Sequence, residues 1–200
     1  MKIGFIGAGN VAQTYATYFV QSGHEVVLSN SRGPDSLAEL VHGLGPNAKA
    51  GTVKEAAMQD LVILCVRWEQ AKQALAEVSD WEGRLLIDAT NRPSNQDSTG
   101  KTSSEIIASY APGAKVIKAL NTLVVSWIPS YSENKNKLVL FMSGDDKAGK
   151  RTLARLLDGI GFAPVDLGGL AEFGRLQEFG APLSGLHMNM IKRMQSGEKQ

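Results

Sequence analysis

The stretch that most restricts the fold is Gly7-Ala8-Gly9-Asn10-Val11-Ala12, a GxGxxA turn set directly after the apolar run of Ile3, Phe5 and Ile6. Val11, Tyr15 and Phe19 then recur every four residues, the spacing of one helix face. A buried strand therefore feeds an amphipathic helix through a turn that lacks side chains at two points. Gly7 permits the tight turn, Gly9 leaves no Cβ between the backbone and a pyrophosphate, and Ala12 lets helix and strand pack closely. The helix N-terminus presents unpaired N–H groups, which suits phosphate.

The end of the next strand distinguishes between two nicotinamide cofactors. Gly23 closes the helix and Glu25 to Leu28 form the second strand. Where an NAD-binding chain carries an acid for the ribose, this one has Ser29-Asn30-Ser31-Arg32, with no carboxylate. A 2′-phosphate needs hydroxyl and amide donors and a guanidinium that can bind it bidentately. Ser31 and Arg32, beside Asn30, meet that need and predict NADPH over NADH.

With 200 residues and 43% hydrophobic content, the chain can bury one substantial core with a small appendage, but has little room for a separate substrate domain. Lysine and arginine total 21 against 20 acids, a net charge of +1, so no nucleic-acid or membrane partner is expected. Cys65 is the single cysteine and follows the apolar run from Leu61, which excludes a disulfide framework and a thiolate metal cluster. No apolar run approaches the roughly 18 residues of a membrane span. A cytoplasmic protein is the expectation.

After Arg32, strands and helices alternate. Ser36-x-x-Glu39, Thr52-x-x-Glu55 and Thr102-x-x-Glu105 each read as a capping box before a helix. Parallel strands are expected at 48–51, 61–66, 85–90 and 115–120, then strands at 138–142 and 162–167. Asp145 and Asp146 read as an N-cap and a first-turn acid for the helix carrying Leu153 and Leu157. Residues 123–131 have no clean period, and 170–194 read as helical segments broken near Gly180-Ala181-Pro182. The prediction is a Rossmann-type, doubly wound α/β fold with a mostly parallel sheet. Residues 1–168 would form the NADP-binding domain with added strands, and 169–200 a small C-terminal helical extension packing on it.

No catalytic constellation is visible. His24, His42 and His187 lack motif partners, and neither a Ser-His-Asp order nor a metal-ligand spacing occurs. Reduction of a ketone needs a positioned acid or base, whereas a flavin-like ring accepts a hydride and solvent can supply the proton. Three strand ends can build such a site: Val66-Arg67-Trp68, Thr90-Asn91-Arg92 and Ala119-Leu120-Asn121-Thr122. Asn121 and Thr122 can hydrogen-bond a ring edge. The polar loop from Asn91 to Gly100 reads either as a ligand loop, since it lies where ligands bind in open α/β sheets, or as a mobile surface loop.

The series GAGNVA, SNSRGP, VRWEQA, VIKALNT, MSGDD and the closing GF-PVDLGGL resembles the family of NADPH-dependent reductases of the deazaflavin coenzyme. That family includes the cytoplasmic oxidoreductase domain of the six-transmembrane metalloreductases. The resemblance implies a homodimer with NADP contacts from Ala8 to Val11, Ser31, Arg32, Trp68, Lys72 and Ala119. It also implies a second ring, FMN, FAD or deazaflavin, near Asn91, Asn121 and Leu186. Members that use the deazaflavin often carry IPW and ALHT, whereas Arg67-Trp68 and Asn121-Thr122 stand here, and KALNT is closer to the metalloreductase form.

The expected activity is hydride transfer between NADPH and a flavin or deazaflavin, with support for ferric reduction as its extension. Two other readings fit the N-terminal pattern: an imine or keto-acid reductase of the pyrroline-carboxylate type, and a non-catalytic NADP(H)-sensing module. The first usually needs a long helical dimerisation domain, and about 30 residues after Leu167 are few for that.

Overall fold

The run Leu61–Leu64 (β4) is buried at every residue, as a strand covered on both faces must be. Around it a computed structural model, which describes residues 1–93, 100–129 and 136–191, builds a sheet in the order β3-β2-β1-β4-β5-β6-β7-β8. The other strands are β1 (Lys2–Ile6), β2 (Glu25–Ser29), β3 (Ala48–Ala50), β5 (Leu85–Asp88), β6 (Lys115–Ala119), β7 (Lys137–Gly144) and β8 (Ala163–Gly168). The pairs from β3 through β6 are parallel. β7 runs antiparallel to β6 and parallel to β8. The starts of β7 and β8 therefore lie at the same edge as the ends of β1 to β6.

Helices cover both faces. On one, α1 (Asn10–Gln21), α2 (Ala38–Leu44) and α6 (Lys147–Gly159) bury Tyr15, Phe19, Leu153 and Leu157 against Ile3, Phe5, Leu28 and Ile63. On the other, α3 (Val53–Ala57), α4 (Trp68–Ala76), α5 (Ser103–Tyr110) and α7 (Leu170–Phe173) set Ala56, Leu75, Ile107 and Leu170 on Ile6, Val62, Leu64 and Leu86. Each fully buried Leu or Phe contributes about 1.5–3 kcal/mol. The fold is a Rossmann-type doubly wound sheet, and the strand order reverses between β1 and β4. A ligand crevice opens outside that switch point.

Several local expectations change. The capping boxes at Thr52 and Thr102 form, but the one at Ser36 does not. The Ser36 hydroxyl turns back to the Gly33 carbonyl at 2.7 Å and accepts from Asn30, so Pro34–Leu37 is a 3-10 turn and α2 starts at Ala38. The N-cap of α6 is Asp146, not Asp145, and its side chain accepts from the Gly149 N–H; Asp145, one residue earlier, accepts from the Leu170 N–H at 3.1 Å. β4, β5 and β6 end sooner than expected because the chain leaves the sheet to form the site loops.

Among its described residues, the tail is helical only over Leu170–Phe173 and a 3-10 turn at Gly174–Gln177. Gly180 and Gly185, at φ of 80° and 72°, break the helix that the apolar spacing suggested. Residues Asn189–Met190 (β9) then pair antiparallel with the start of β7. Of the expected polar loop, 94–99 lie outside the described residues, as do 130–135 and 192–200. Among the described residues, no helix is long and apolar enough to cross a membrane.

Candidate functional site

The crevice at the β1/β4 switch is a cleft of about 260 Å³. Gly7, Ala8 and Gly9 form one side, Asn30 and Ser31 its far end, and Val66 and Arg67 the other side. Gly7 holds φ at 110°, and a Cβ there would stand 2.4 Å from the Cys65 carbonyl oxygen. At Gly9 a Cβ would meet nothing within 4 Å, so the space before this residue is open. Gly9 is also the N-cap of α1 and supplies no side-chain acceptor, which leaves the first N–H groups of a 12-residue helix available to an anion. Asn10 is exposed and Val11 half-buried beside it.

At the far end Asn30 accepts from the Arg32 N–H at 2.9 Å and donates to Ser36, which shapes the turn. Ser31 and Arg32 stand exposed on it. Arg67 is the N-cap residue of α4 and exposed, while Trp68 is half-buried under the Arg92 guanidinium, 5.8 Å from the ring centroid. Lys72 lies on the side of α4 that faces α5, 5.8 Å over the Tyr110 ring, and is not part of the cleft lining. The helix side that does line it carries Gln70, Gln73, Ala74 and Glu77, recoverable from i, i+3, i+4, i+7 spacing after Val66. Cys65 borders the cleft, and burial, then the nearby Asp88 carboxylate, raises its thiol pKa so that it stays protonated.

Beyond β5 and β6 lies a polar shelf. Asn121 donates to the Asn91 side-chain oxygen at 3.0 Å and to the Gln177 carbonyl at 2.6 Å, and Asn91 donates back to the Asn121 carbonyl at 3.3 Å. Two buried atoms on this shelf, Asn121 Oδ1 and Thr122 Oγ1, have no hydrogen-bond partner among the described residues. Leaving a buried polar atom unsatisfied costs about 1–3 kcal/mol, a cost that a ligand offering hydrogen bonds here would relieve. Leu120, at φ 65°, turns the chain here in a conformation rare for a non-glycine residue. Ala119 is fully buried behind it in β6.

The tail closes the shelf from the side. Gly185 N–H donates to the Thr122 carbonyl at 2.8 Å, which brings Leu186, 38% exposed, next to the Asn121-Thr122 pair. His187 Nε2 accepts from the Val124 N–H at 3.0 Å, and its ring lies 5.3 Å from Trp127. Partial burial holds the His187 pKa below the usual histidine value.

Sequence reading missed the residues that bind these parts together. Gln177, fully buried, donates to the carbonyls of Lys118 and Phe141 and accepts from Ser143. Glu178 accepts from Arg92 at 3.2 Å and from the Ser103 N–H at 2.6 Å. Asp88 and Lys118 form a buried ion pair at 3.2 Å. The available signal was a charged residue within each of two apolar strands, LLID and KVIKA.

His24 and His42 lie away from both places, at the start of β2 and on α2. Among the described residues, no group of three His, Cys, Asp or Glu could hold a metal.

A family described as NADP oxidoreductase, coenzyme F420-dependent, matches residues 2–92. Metalloreductase STEAP3 of Rattus norvegicus is 30% identical over 174 residues, 86% of this chain and 34% of that protein. The chain thus spans about a third of the length of this curated relative. A hypothetical protein from Sinorhizobium meliloti is 36% identical, with a TM-score of 0.86 and coverage of 95% of this chain and 96% of the other. A structure from Arthrobacter sp. fb24, assigned by name as an F420-dependent NADP-reductase, is 27% identical with a TM-score of 0.73, covering 85% and 86% of the two chains. The glycine turn, the acid-free β2 end and these likenesses agree: over residues 2–92 the chain carries the domain of the coenzyme F420-dependent NADP oxidoreductases.

Proposed function

We propose that the protein is an NADPH-dependent reductase that passes a hydride between nicotinamide and a flavin or deazaflavin ring. NADP(H) supplies the hydride, and the family is one of NADP oxidoreductases. The open backbone at Gly9, the uncapped α1 terminus and the Ser31-Arg32 rim would hold its pyrophosphate and 2′-phosphate. The observation that carries the acceptor reading is the shelf next to that cleft, where neutral amide and hydroxyl groups are buried without partners among the described residues. Asn121 Oδ1 suits a ring N–H, and Thr122 Oγ1 suits either a donor or an acceptor on a planar heterocycle.

Asn91, Asn121, Thr122 and Leu186 would orient that ring, and their work is alignment: correct placement of two reacting rings can supply many kcal/mol of rate enhancement without a general acid. The tail excludes water from one side. The protein acts as a homodimer in this reading, which the exposed apolar side chains of Phe179 (59%) and Ile191 (85%) support. A reduced flavin would give up single electrons to ferric chelates, in line with the name of the metalloreductase relative.

The test is NADPH oxidation, followed by its absorbance, with FMN, FAD, riboflavin and deazaflavin at equal concentration, each with and without ferric chelate. Turnover with one ring acceptor is the expected result. Saturable NADPH binding without turnover of any ring would transfer the assignment to a sensor, and oxidation with a cyclic imine alone to an imine reductase.

A further inference from the structure

The site described above leaves unused the ion pair beneath the polar shelf. Asp88 and Lys118 face each other in the register of β5 and β6 and are 0% and 1% exposed. Lys118 Nζ reaches Asp88 Oδ2 at 3.2 Å and donates to the Thr90 carbonyl at 2.6 Å. Asp88 Oδ1 accepts from the Thr90 N–H at 2.9 Å and the Thr90 hydroxyl at 2.7 Å, while Oδ2 also accepts from the Ser104 hydroxyl at 2.5 Å. The backbone N–H, the carbonyl and the hydroxyl of one residue, Thr90, are all fixed by this pair.

Stability does not account for it. Burying two charges costs several kcal/mol each, and an apolar pair of similar volume is often as stable or more so. What the pair adds is geometry. Thr90 immediately precedes Asn91, and Lys118 lies two residues before Leu120, whose φ of 65° is held only if its surroundings enforce it. The Lys118 carbonyl is in turn held by Gln177. Asn91 and Asn121, the reciprocal amide pair of the shelf, thus extend from two strand ends that the ion pair locks together.

We propose that Lys118 and Asp88, acting through Thr90, are positioning residues that set the shelf for the nicotinamide and its acceptor while leaving the adenosine half of the cleft untouched. The proposal rests on the reading above that the reacting rings meet at Asn91 and Asn121. The cleft at Gly7 to Gly9 and Ser31 draws none of its lining from Asp88, Thr90 or Lys118.

The experiment compares affinity for NADPH with affinity for its adenosine bisphosphate fragment, which lacks nicotinamide, by calorimetry. The variant combines Lys118→Met with Asp88→Leu, so that no lone charge is left buried. The fragment should bind within about twofold of wild type, whereas NADPH weakens about threefold to tenfold, the worth of one neutral hydrogen bond. Turnover with the active ring acceptor should fall about a hundredfold in kcat with a smaller change in KM.

Thr90→Val, which keeps the ion pair and the side-chain volume, should show the same split at smaller size, and Thr90→Ser should restore wild-type behaviour. This second pair serves if the double variant does not fold. Equal weakening of NADPH and fragment, or no change in either, overturns the proposal. The comparison of the two affinities needs no acceptor, so absence of ring turnover would refute the functional reading and still decide this one.

Discussion

The two halves of the site share one edge of one sheet and are built on opposite plans. The dinucleotide cleft is mainly backbone: a single turn from Gly7 to Val11, an uncapped helix start and a glycine with open space before it. The polar shelf is side chains brought together from β5, β6, residues 177–178 and residues 185–187. A site made by leaving side chains out depends on a few adjacent residues. One made by side chains depends on every element that holds them. Damage to the first should be local, and damage to the second should spread.

The largest contrast is between two glycines five residues apart. A Cβ on Gly4, in β1, would stand 1.8 Å from the carbonyl oxygen of Ala56, so Gly4→Ala must push α3 off the sheet. Thermal unfolding should show a loss of about 3 kcal/mol or more. A Cβ on Gly9 meets nothing within 4 Å, and Gly9→Val should leave the melting transition within about 0.5 kcal/mol of wild type, while NADPH and NADH binding are both lost. A Gly9→Val protein that melts early would break the distinction between a structural and a ligand-facing glycine.

This division also governs what the sequence disclosed. The cleft was legible because its parts are consecutive: GxGxxA after an apolar strand, then a β2 end without a carboxylate. The sheet was legible for the same reason, since each of the strands β1 to β8 announces itself within one short stretch of consecutive residues. The shelf was readable only as loops at strand ends. Nothing near Gln177 in sequence signals that it will meet Lys118, Phe141 and Ser143, which come from β6 and β7. The tail misled because its apolar residues occur at helical intervals, although Gly180 and Gly185 turn it back to pair with β7. Asp88 and Lys118 were visible as charges in apolar strands, a pattern that implies a buried pair whenever two such strands are neighbours.

Gln177 sharpens the comparison on the side-chain half. Gln177→Leu leaves two buried carbonyls without their donor and the Ser143 hydroxyl without its acceptor. The expected loss is about 2 to 3 kcal/mol in denaturant unfolding, with Asn121 released enough to lower turnover as well. Full stability in this variant would mean that the shelf is held from elsewhere. On the backbone half, Arg32→Ala should weaken NADPH by about 1.5 to 3 kcal/mol and leave NADH nearly unchanged, the mark of a charge-assisted phosphate contact. Equal effects on the two cofactors would remove the 2′-phosphate from the rim.

The smallest effect concerns pH and distinguishes the tail from the cleft. His187 accepts from the Val124 N–H through Nε2, a bond available only to the neutral ring, and partial burial lowers its pKa below 6.5. The unfolded chain therefore binds a proton more readily than the folded one over the interval between the two values. The stability contributed by neutral His187 is fully present above about pH 6.5 and is lost as pH falls through the lower folded value. His24 shifts in the same direction, for burial and then the neighbouring N-terminal ammonium, so both contribute to the acid slope. His187→Gln offers an amide oxygen to Val124 and does not titrate. It should flatten only part of the slope in unfolding measured across that window, while NADPH affinity, set at the other end of the cleft, keeps its wild-type pH dependence. A pH slope identical to wild type would mean that His187 binds its proton equally well in the folded and unfolded chain, so that the bond to Val124 contributes no linkage.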